Sequence, residues 1–391
     1  MKRVNVIWAL IPFIMAGCGQ RQEGNDDFIT VDVTKTDYPK KELILQDFMD
    51  VEYLALETKD DFLCQGFVQD IGEKIILVTN RQINDGDIFV YNRNGKALRK
   101  INRKGQGGEE YTYITNIILD EDKDEMYVHD HQIKKIQVYN LSGVFKRSLP
   151  YKENTNGMLY TDIDNYDRNN LICFDEYSKG RAFVLMSKRD GRITQKIGIP
   201  VKETKFLIKF SIDEANNRML SMGPDPYPTI IPFNGNKILL ELSSDTIYTF
   251  SPDYSLHPFI VRTPSVQSME PEVMLILRLL SERYYFMETI RNEYDFDTKK
   301  GFSKTYFMYD KQEKSFGRYI VYNGDYIIQK EIYMSLLRPV DYENESWQSL
   351  DASKLVESYA NGELKDGKLK EIAATLDEES NPVIMLIKHK K

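Results

Sequence analysis

The chain has 391 residues, 41 % of them hydrophobic and 29 % charged, with 25 Tyr and 19 Phe. This supplies a large buried core and excludes a disordered or collagen-like chain. A formal net charge of −8 without any Lys/Arg run excludes a nucleic-acid partner, since phosphate recognition needs a basic surface. At about 100 to 200 residues per domain the length suggests two or three domains, unless a repeat makes one large unit.

Lys2 and Arg3 precede an apolar run, residues 4–16, broken only by Asn5 and Pro12, which ends in Met15-Ala16-Gly17-Cys18. Residues 1–17 read as a signal peptide: the run is too short for a membrane span, which needs about 20 apolar residues, and small residues before a cysteine suit a signal peptidase cleft. The pattern resembles the lipobox of bacterial lipoproteins, although Met15 stands where Leu is usual. That resemblance implies that the Cys18 thiol is acylated and anchors the protein to a membrane. The absence of Asp at residue 19 implies sorting to the outer membrane, facing the periplasm or the surface. An ordinary secretory signal with a chance cysteine is the alternative. Residues 18–27 are polar and read as a flexible tether, leaving residues 28–391 as the folded domain. Cys64 and Cys173 both sit in apolar, strand-like runs and read as core thiols rather than a disulfide.

From residue 70 onward the chain repeats. Ile88-Phe89-Val90-Tyr91-Asn92-Arg93-Asn94-Gly95 is followed 48 residues later by Ile136-Gln137-Val138-Tyr139-Asn140-Leu141-Ser142-Gly143, and after another 48 by Val184-Leu185-Met186-Ser187-Lys188-Arg189-Asp190-Gly191. Each copy is a strand, a polar turn with a glycine, and a second strand. Upstream of each lies a strand pair with an acidic turn, at 70–73, 120–125 and 164–170. Four strands in 45 to 50 residues is the pattern of a β-propeller blade.

Residues 237–250 suggest a fourth blade and 304–314 a fifth. A sixth is assembled from residues 319–329, the terminal strand at 382–388 and an N-terminal strand at 28–33, which would close the ring and remove exposed sheet edges. Residues 272–287 carry Val273, Ile276, Leu277, Leu280, Tyr284 and Met287 at helical spacing, so part of the segment reads as an amphipathic helix, with an inner strand at 284–290 as the alternative. Residues 351–360, with Asp351 as N-cap, and 367–376 read as two short helices. The expected fold is thus all-β: a six-bladed β-propeller with short helical insertions.

Several stretches carry a wider resemblance: Val51-Glu52-Tyr53-Leu54-Ala55-Leu56-Glu57-Thr58, the glycine-rich loop at 103–111, Asp245-Thr246-Ile247-Tyr248, Glu288-Thr289 and Asn381-Pro382-Val383. They resemble the six-bladed β-propeller lipoproteins of Gram-negative gut bacteria, distantly similar to NHL-repeat and TolB-like propellers. Gly108 stands where that family usually has Pro. The resemblance implies exposure at the cell envelope and a binding or scaffolding role, and it carries no catalytic residue set.

The residues themselves name little chemistry. HExxH, G-x-S-x-G and phosphate-loop motifs are absent, and there are only four histidines. His129 and His131 share a strand face, yet two histidines need further ligands to hold a metal. Asp120, Asp122 and Asp124 begin like a calcium loop, but Glu125 takes the place of the sharp-turn glycine. The loop amides at 105–108 could hold an anion. No cofactor or metal is expected.

The binding candidates are Tyr111 and Tyr113 after the glycine-rich loop, Tyr227 in Pro224-Asp225-Pro226-Tyr227-Pro228, and Trp347, rings that could stack on a sugar or anchor a partner. Glu288, in an apolar run, reads either as a salt-bridge partner or as a ligand-facing carboxylate. Two functions remain open. One is a lipid-anchored, non-catalytic propeller that binds a protein, peptide or glycan. The other is a propeller enzyme, a glycoside or peptide hydrolase or lyase with carboxylates at the channel mouth.

Overall fold

Gly95, Gly143 and Gly191 adopt φ of 77°, 85° and 72°, a region that strains any residue with a Cβ. Gly95 and Gly143 close the same turn, and Gly191 one that is a residue longer, its N donating to Ser187 O at 2.9 Å. Gly95 N donates to Asn92 O and Gly143 N to Asn140 O, both at 2.9 Å. The side chains of Asn92 and Asn140 accept from the amides two and four residues on, at 2.8 to 3.0 Å. A Cβ on Gly95 would lie 2.1 Å from Ala55 O, so this turn also needs glycine for its approach to the neighbouring strand.

The computed structural model describes residues 28–390, except 81–84, 152–159, 177–181, 214–217 and 341–344. Cys18 and the segments expected to be a leader and a tether, residues 1–17 and 18–27, lie outside the described residues. Among the described residues the strands form eight sheets, six of which are blades around a central channel and two of which are two-stranded hairpins. Blade 1 is Phe67–Ile71, Ile75–Thr79, Asp87–Asn92 and Ala97–Asn102. Blade 2 is Asn116–Asp120, Glu125–Asp130, Lys135–Tyr139 and Phe145–Pro150; blade 3 is Asp162–Asn165, Asn170–Phe174, Phe183–Ser187 and Ile193–Ile197. Blade 4 comprises Ile230–Phe233, Asn236–Leu239, Thr246–Phe250 and Leu256–Thr263, and blade 5 Val273–Leu280, Tyr284–Arg291, Lys304–Asp310 and Ser315–Tyr322. Blade 6 is Arg338–Pro339, Ser346–Leu350, Val383–His389 and, from the other end of the chain, Met49–Ala55. In blades 1 to 4 a bulge interrupts the pairing of the two outer strands shortly before their turn, adding local twist.

Packing follows from this geometry. Six apolar clusters fill the molecule, each built by two adjacent blades. Most second and third strands are therefore buried on both faces and read as continuous apolar runs. Cys173 is buried and Cys64 half-buried, and both are free thiols.

The N-terminal segment closes the ring differently from the sequence expectation. Ile29–Asp32 is not part of blade 6; it adds in parallel to the outer strand of blade 4. Lys40–Ile44 adds in parallel to the outer strand of blade 5, and Met49–Ala55 completes blade 6 antiparallel to Val383–His389. One strap thus covers three consecutive outer edges, each of which would otherwise present unpaired backbone groups. Residues 319–322, assigned above to blade 6, belong to Ser315–Tyr322, the outer strand of blade 5.

The expected helix within 272–287 is instead the strand Val273–Leu280 and the start of Tyr284–Arg291. Met274, Leu275, Leu279, Tyr285 and Phe286 are buried along with the residues at helical spacing, which is the signature of a strand packed on both faces. The late helices are present as Ala352–Ala360 and Lys368–Ala373, and Asp351 accepts from Ser353 N at 3.0 Å as N-cap.

Candidate functional site

The innermost strands of the blades surround a cavity of about 440 Å³. Polar side chains on these strands stitch one blade to the next. Gln69 Oε1 and Asp70 Oδ2 of blade 1 accept from Ile117 N and Leu119 N of blade 2, at 3.0 and 2.7 Å. Asp162 Oδ2 of blade 3 accepts from Thr229 N, Thr229 Oγ1 and Ile230 N of blade 4, at 3.0, 2.8 and 3.1 Å. Asp164 Oδ2 meets Lys237 Nζ at 2.7 Å. The carboxylates of the inner strands are thus bound to the neighbouring blade's amides and ammonium.

Arg278, on the first strand of blade 5, lines the same cavity although it is almost wholly buried. Its Nη2 donates to Glu288 Oε1 at 2.5 Å and its Nη1 to Pro226 O at 2.8 Å. The guanidinium therefore pins the segment Pro224-Asp225-Pro226-Tyr227-Pro228 over the channel. Glu288 is 0 % exposed and stands as the countercharge of Arg278, from the adjacent strand. At the mouth, Asp225 pairs with Lys304 at 2.7 Å, and that ammonium holds the Asp225 carboxyl below its usual range.

The remaining sequence candidates fall in different places. Tyr227 is half-buried at the cavity wall, and its hydroxyl donates to the Glu176 carboxylate. Trp347 is also in the wall, 5 % exposed, edge-on to Phe67 with ring centroids 6.1 Å apart. Tyr111 is fully buried; its hydroxyl donates to Gly86 O at 2.6 Å and accepts from Arg103 N at 2.9 Å, so its ring has no face to offer a ligand. Tyr113 is half-buried and packs edge-on against His131 at 5.1 Å. The cavity therefore brings Tyr227 and Trp347 together, reaches Glu288 only through Arg278, and leaves Tyr111 and Tyr113 aside.

The other motifs resolve into structural bonds. Asp130 accepts from Thr112 N and Oγ1 and from Tyr113 N, at 2.7 to 3.0 Å; burial alone would raise its carboxyl, but these bonds hold it below its usual range. His129 bonds Asn116 Oδ1 at 2.8 Å and the Tyr151 hydroxyl. Its burial, with His131 adding repulsion, pushes its pKa down to about 3. Asp120 caps a short turn by accepting from Lys123 N, and Asp124 takes the left-handed conformation that ends it. In the glycine-rich loop, Gly107 N donates to Glu110 at 2.7 Å, so the chain's own carboxylate occupies that amide. Among the described residues no cluster of three or more His, Cys, Asp or Glu could hold a metal ion.

Sequence reasoning missed Arg278, Glu176, Asp162 and Asp164. A usable signal was there for the last two: a pair of acids at alternate positions of a strand marks one polar face, here the face turned to blade 4.

Fold and site together define a six-bladed β-propeller whose axial cavity opens under a proline-rich segment and is walled by aromatic and ion-paired side chains. The chain belongs to the family of the domain of unknown function DUF4934, which it matches over residues 28–388. Among solved structures it is similar to a protein of Bacteroides fragilis described as exported, at 16 % identity and a TM-score of 0.56, covering 90 % of this chain and 99 % of that one. A DUF4221 family member from Bacteroides vulgatus aligns over 88 % of this chain and 99 % of its own, at 11 % identity and a TM-score of 0.44. Virginiamycin B lyase of Staphylococcus aureus aligns over 86 % and 99 %, at 10 % identity and a TM-score of 0.37. No curated protein matches the chain.

Proposed function

We propose that this is an exported, lipid-anchored propeller of the cell envelope that binds a protein, peptide or glycan at the mouth of its axial cavity without transforming it. The observation that carries the reading is the commitment of the inner-strand carboxylates. Asp70, Asp162 and Asp164 all accept bonds from the next blade. A general acid and base must be able to exchange protons with a substrate, and hydrolysis of a glycoside needs two carboxyl groups about 5 to 9 Å apart and available to it. Carboxylates held by amides and ammonium groups of the scaffold serve instead to keep the wall rigid, which favours a preformed binding cavity.

Tyr227 and Trp347 give that wall its aromatic surface, and the Arg278 to Pro226 bond fixes the segment that carries Tyr227. The leader and Cys18 support export and anchoring, and among the described residues no helix is long and apolar enough to cross a membrane. The tests are direct. Cys18→Ala should abolish labelling by a fatty-acid probe, and retained labelling would refute the anchor. Affinity capture from envelope extracts, paired with a glycan-array screen, should return one ligand class bound intact; a ligand recovered as cleaved product would support the lyase or hydrolase alternative.

A further inference from the structure

The connection between blades 3 and 4 carries a hairpin, Lys209–Asp213 and Arg218–Met222, whose strands pair with each other and with no other described strand. Directly opposed residues of an antiparallel pair share a face, so the pairs Phe210/Ser221 and Ile212/Met219 place three apolar side chains together. Phe210 is 56 %, Ile212 73 % and Met219 71 % exposed. A two-stranded hairpin with its apolar face in water is marginal on its own. Here the root is fixed: Lys205 N donates to Ser243 Oγ of blade 4 at 2.8 Å, and Asn292 Nδ2 of blade 5 donates to Phe206 O at 3.0 Å. The scaffold holds the apolar face out rather than letting it fold back.

The position of this hairpin relative to the N-terminus identifies what it meets. Leu207, at its root, belongs to the same apolar cluster as Val31 and Val33. The chain thus enters the fold at Ile29, on the rim of blade 4, in the sector from which the hairpin projects. Residues 18–27 can span at most about 35 Å when extended. Given the lipid-anchor reading above, on which this step rests, a bilayer lies within that reach of the same sector. Lys209 and Arg218 stand on the hairpin's other face, at its two ends, from which their long side chains can reach an anionic headgroup layer.

We infer that the hairpin is a second membrane contact: Phe210, Ile212 and Met219 enter the interface of the bilayer that holds the anchor, and so set the orientation of the propeller on it.

The test supplies its own tether. Residues 19–391 with an N-terminal histidine tag are held on vesicles of phosphatidylethanolamine and phosphatidylglycerol that contain a nickel-chelating lipid. Ile212→Trp is compared with Leu98→Trp, on the outer strand of blade 1, where the side chain is 44 % exposed. Both sites are exposed, so neither substitution disturbs packing. Doxyl-labelled lipid should quench Ile212→Trp several-fold more strongly than Leu98→Trp. Adding Phe210→Ser and Met219→Ser should bring it down to the Leu98→Trp level. Equal quenching at the two positions overturns the inference. So does a dimer in sedimentation that the same serines abolish, because the hairpin then packs against a second copy. Fatty-acid labelling of Cys18 in cells reads the anchor separately: label without hairpin quenching removes the hairpin contact alone, and quenching without label removes the anchor alone.

Discussion

Arg93 of blade 1 donates from Nη2 to both oxygens of Glu345 in blade 6, at 2.7 and 2.9 Å, and so ties the first blade to the last. Glu345 has no exposed side-chain surface and also meets Lys388 Nζ at 3.0 Å. Among the described residues no disulfide closes the ring, so this ion cluster and the pairing of Met49–Ala55 with Val383–His389 hold the seam together. Glu345→Ala removes the carboxylate that Arg93 and Lys388 share, leaving Lys388 with Glu52 at 3.5 Å, and should cost about 2–4 kcal/mol of stability. Denaturant unfolding of wild type and variant measures it; a loss below about 1 kcal/mol would place the pair among weak surface bridges.

The Arg278 to Glu288 pair makes a stronger claim. Both groups are buried, and Glu288 Oε2 and Arg278 Nε have no hydrogen-bond partner among the described residues. Glu288→Ala should cost about 3–5 kcal/mol because it strands a buried cation. The double variant Arg278→Met/Glu288→Leu should recover most of that loss in the same unfolding measurement. Failure to recover would mean that the bond from Arg278 to Pro226 O, rather than charge balance, carries the stability.

Acid stability follows from Glu125. Burial raises its carboxyl, but bonds from Arg147, Lys146 and Tyr127 outweigh this and lower its pKa from 4.5 to about 2. A folded pKa below the unfolded one gives stability that is complete above pH 4.5 and lost as the pH falls toward 2. The contribution is on the order of 1–3 kcal/mol. Glu125→Gln should be less stable than wild type at neutral pH, with the difference shrinking through that window. A difference that does not change with pH would contradict the assignment.

His129 is the neutral counterpart. Burial lowers its pKa from 6.5 to about 3, so it stays uncharged in the fold and its protonation opposes folding. The stability it contributes is complete above pH 6.5 and is lost as the pH falls toward 3. Its imidazole carbon resonances should show no titration between pH 8 and about 4 in NMR spectra. A midpoint near 6.5 would show that the ring reaches solvent.

The repeat was legible because its turns demand particular residues. Asn92 and Asn140 cap their own turns and Gly95 and Gly143 supply positive φ, so those positions recur at fixed spacing. Strands buried on both faces lose their alternation. Val273–Leu280 is apolar at nearly every position, and a helical spacing can always be picked out of such a run. Lys40–Ile44 was silent for another reason: a strand added in parallel to an edge is specified by the edge it covers, and its own sequence is mostly polar. Of the site, Tyr227 and Trp347 were readable as rings near turns, whereas Arg278 was hidden inside the segment expected to be a helix.

The most direct measurement of binding at the cavity mouth is the affinity of the ligand recovered from the envelope or the glycan array for wild type, Tyr227→Ala and Tyr254→Ala. Tyr254 lies away from the axial cavity, in the turn between the outer strands of blade 4. Non-catalytic binding at the cavity mouth predicts that Tyr227→Ala weakens binding about tenfold or more, equivalent to about 1.4 kcal/mol, while keeping the native circular-dichroism spectrum, that Tyr254→Ala binds as wild type, and that the ligand is recovered intact. Equal affinity for wild type and Tyr227→Ala, or release of a cleaved product, would contradict it.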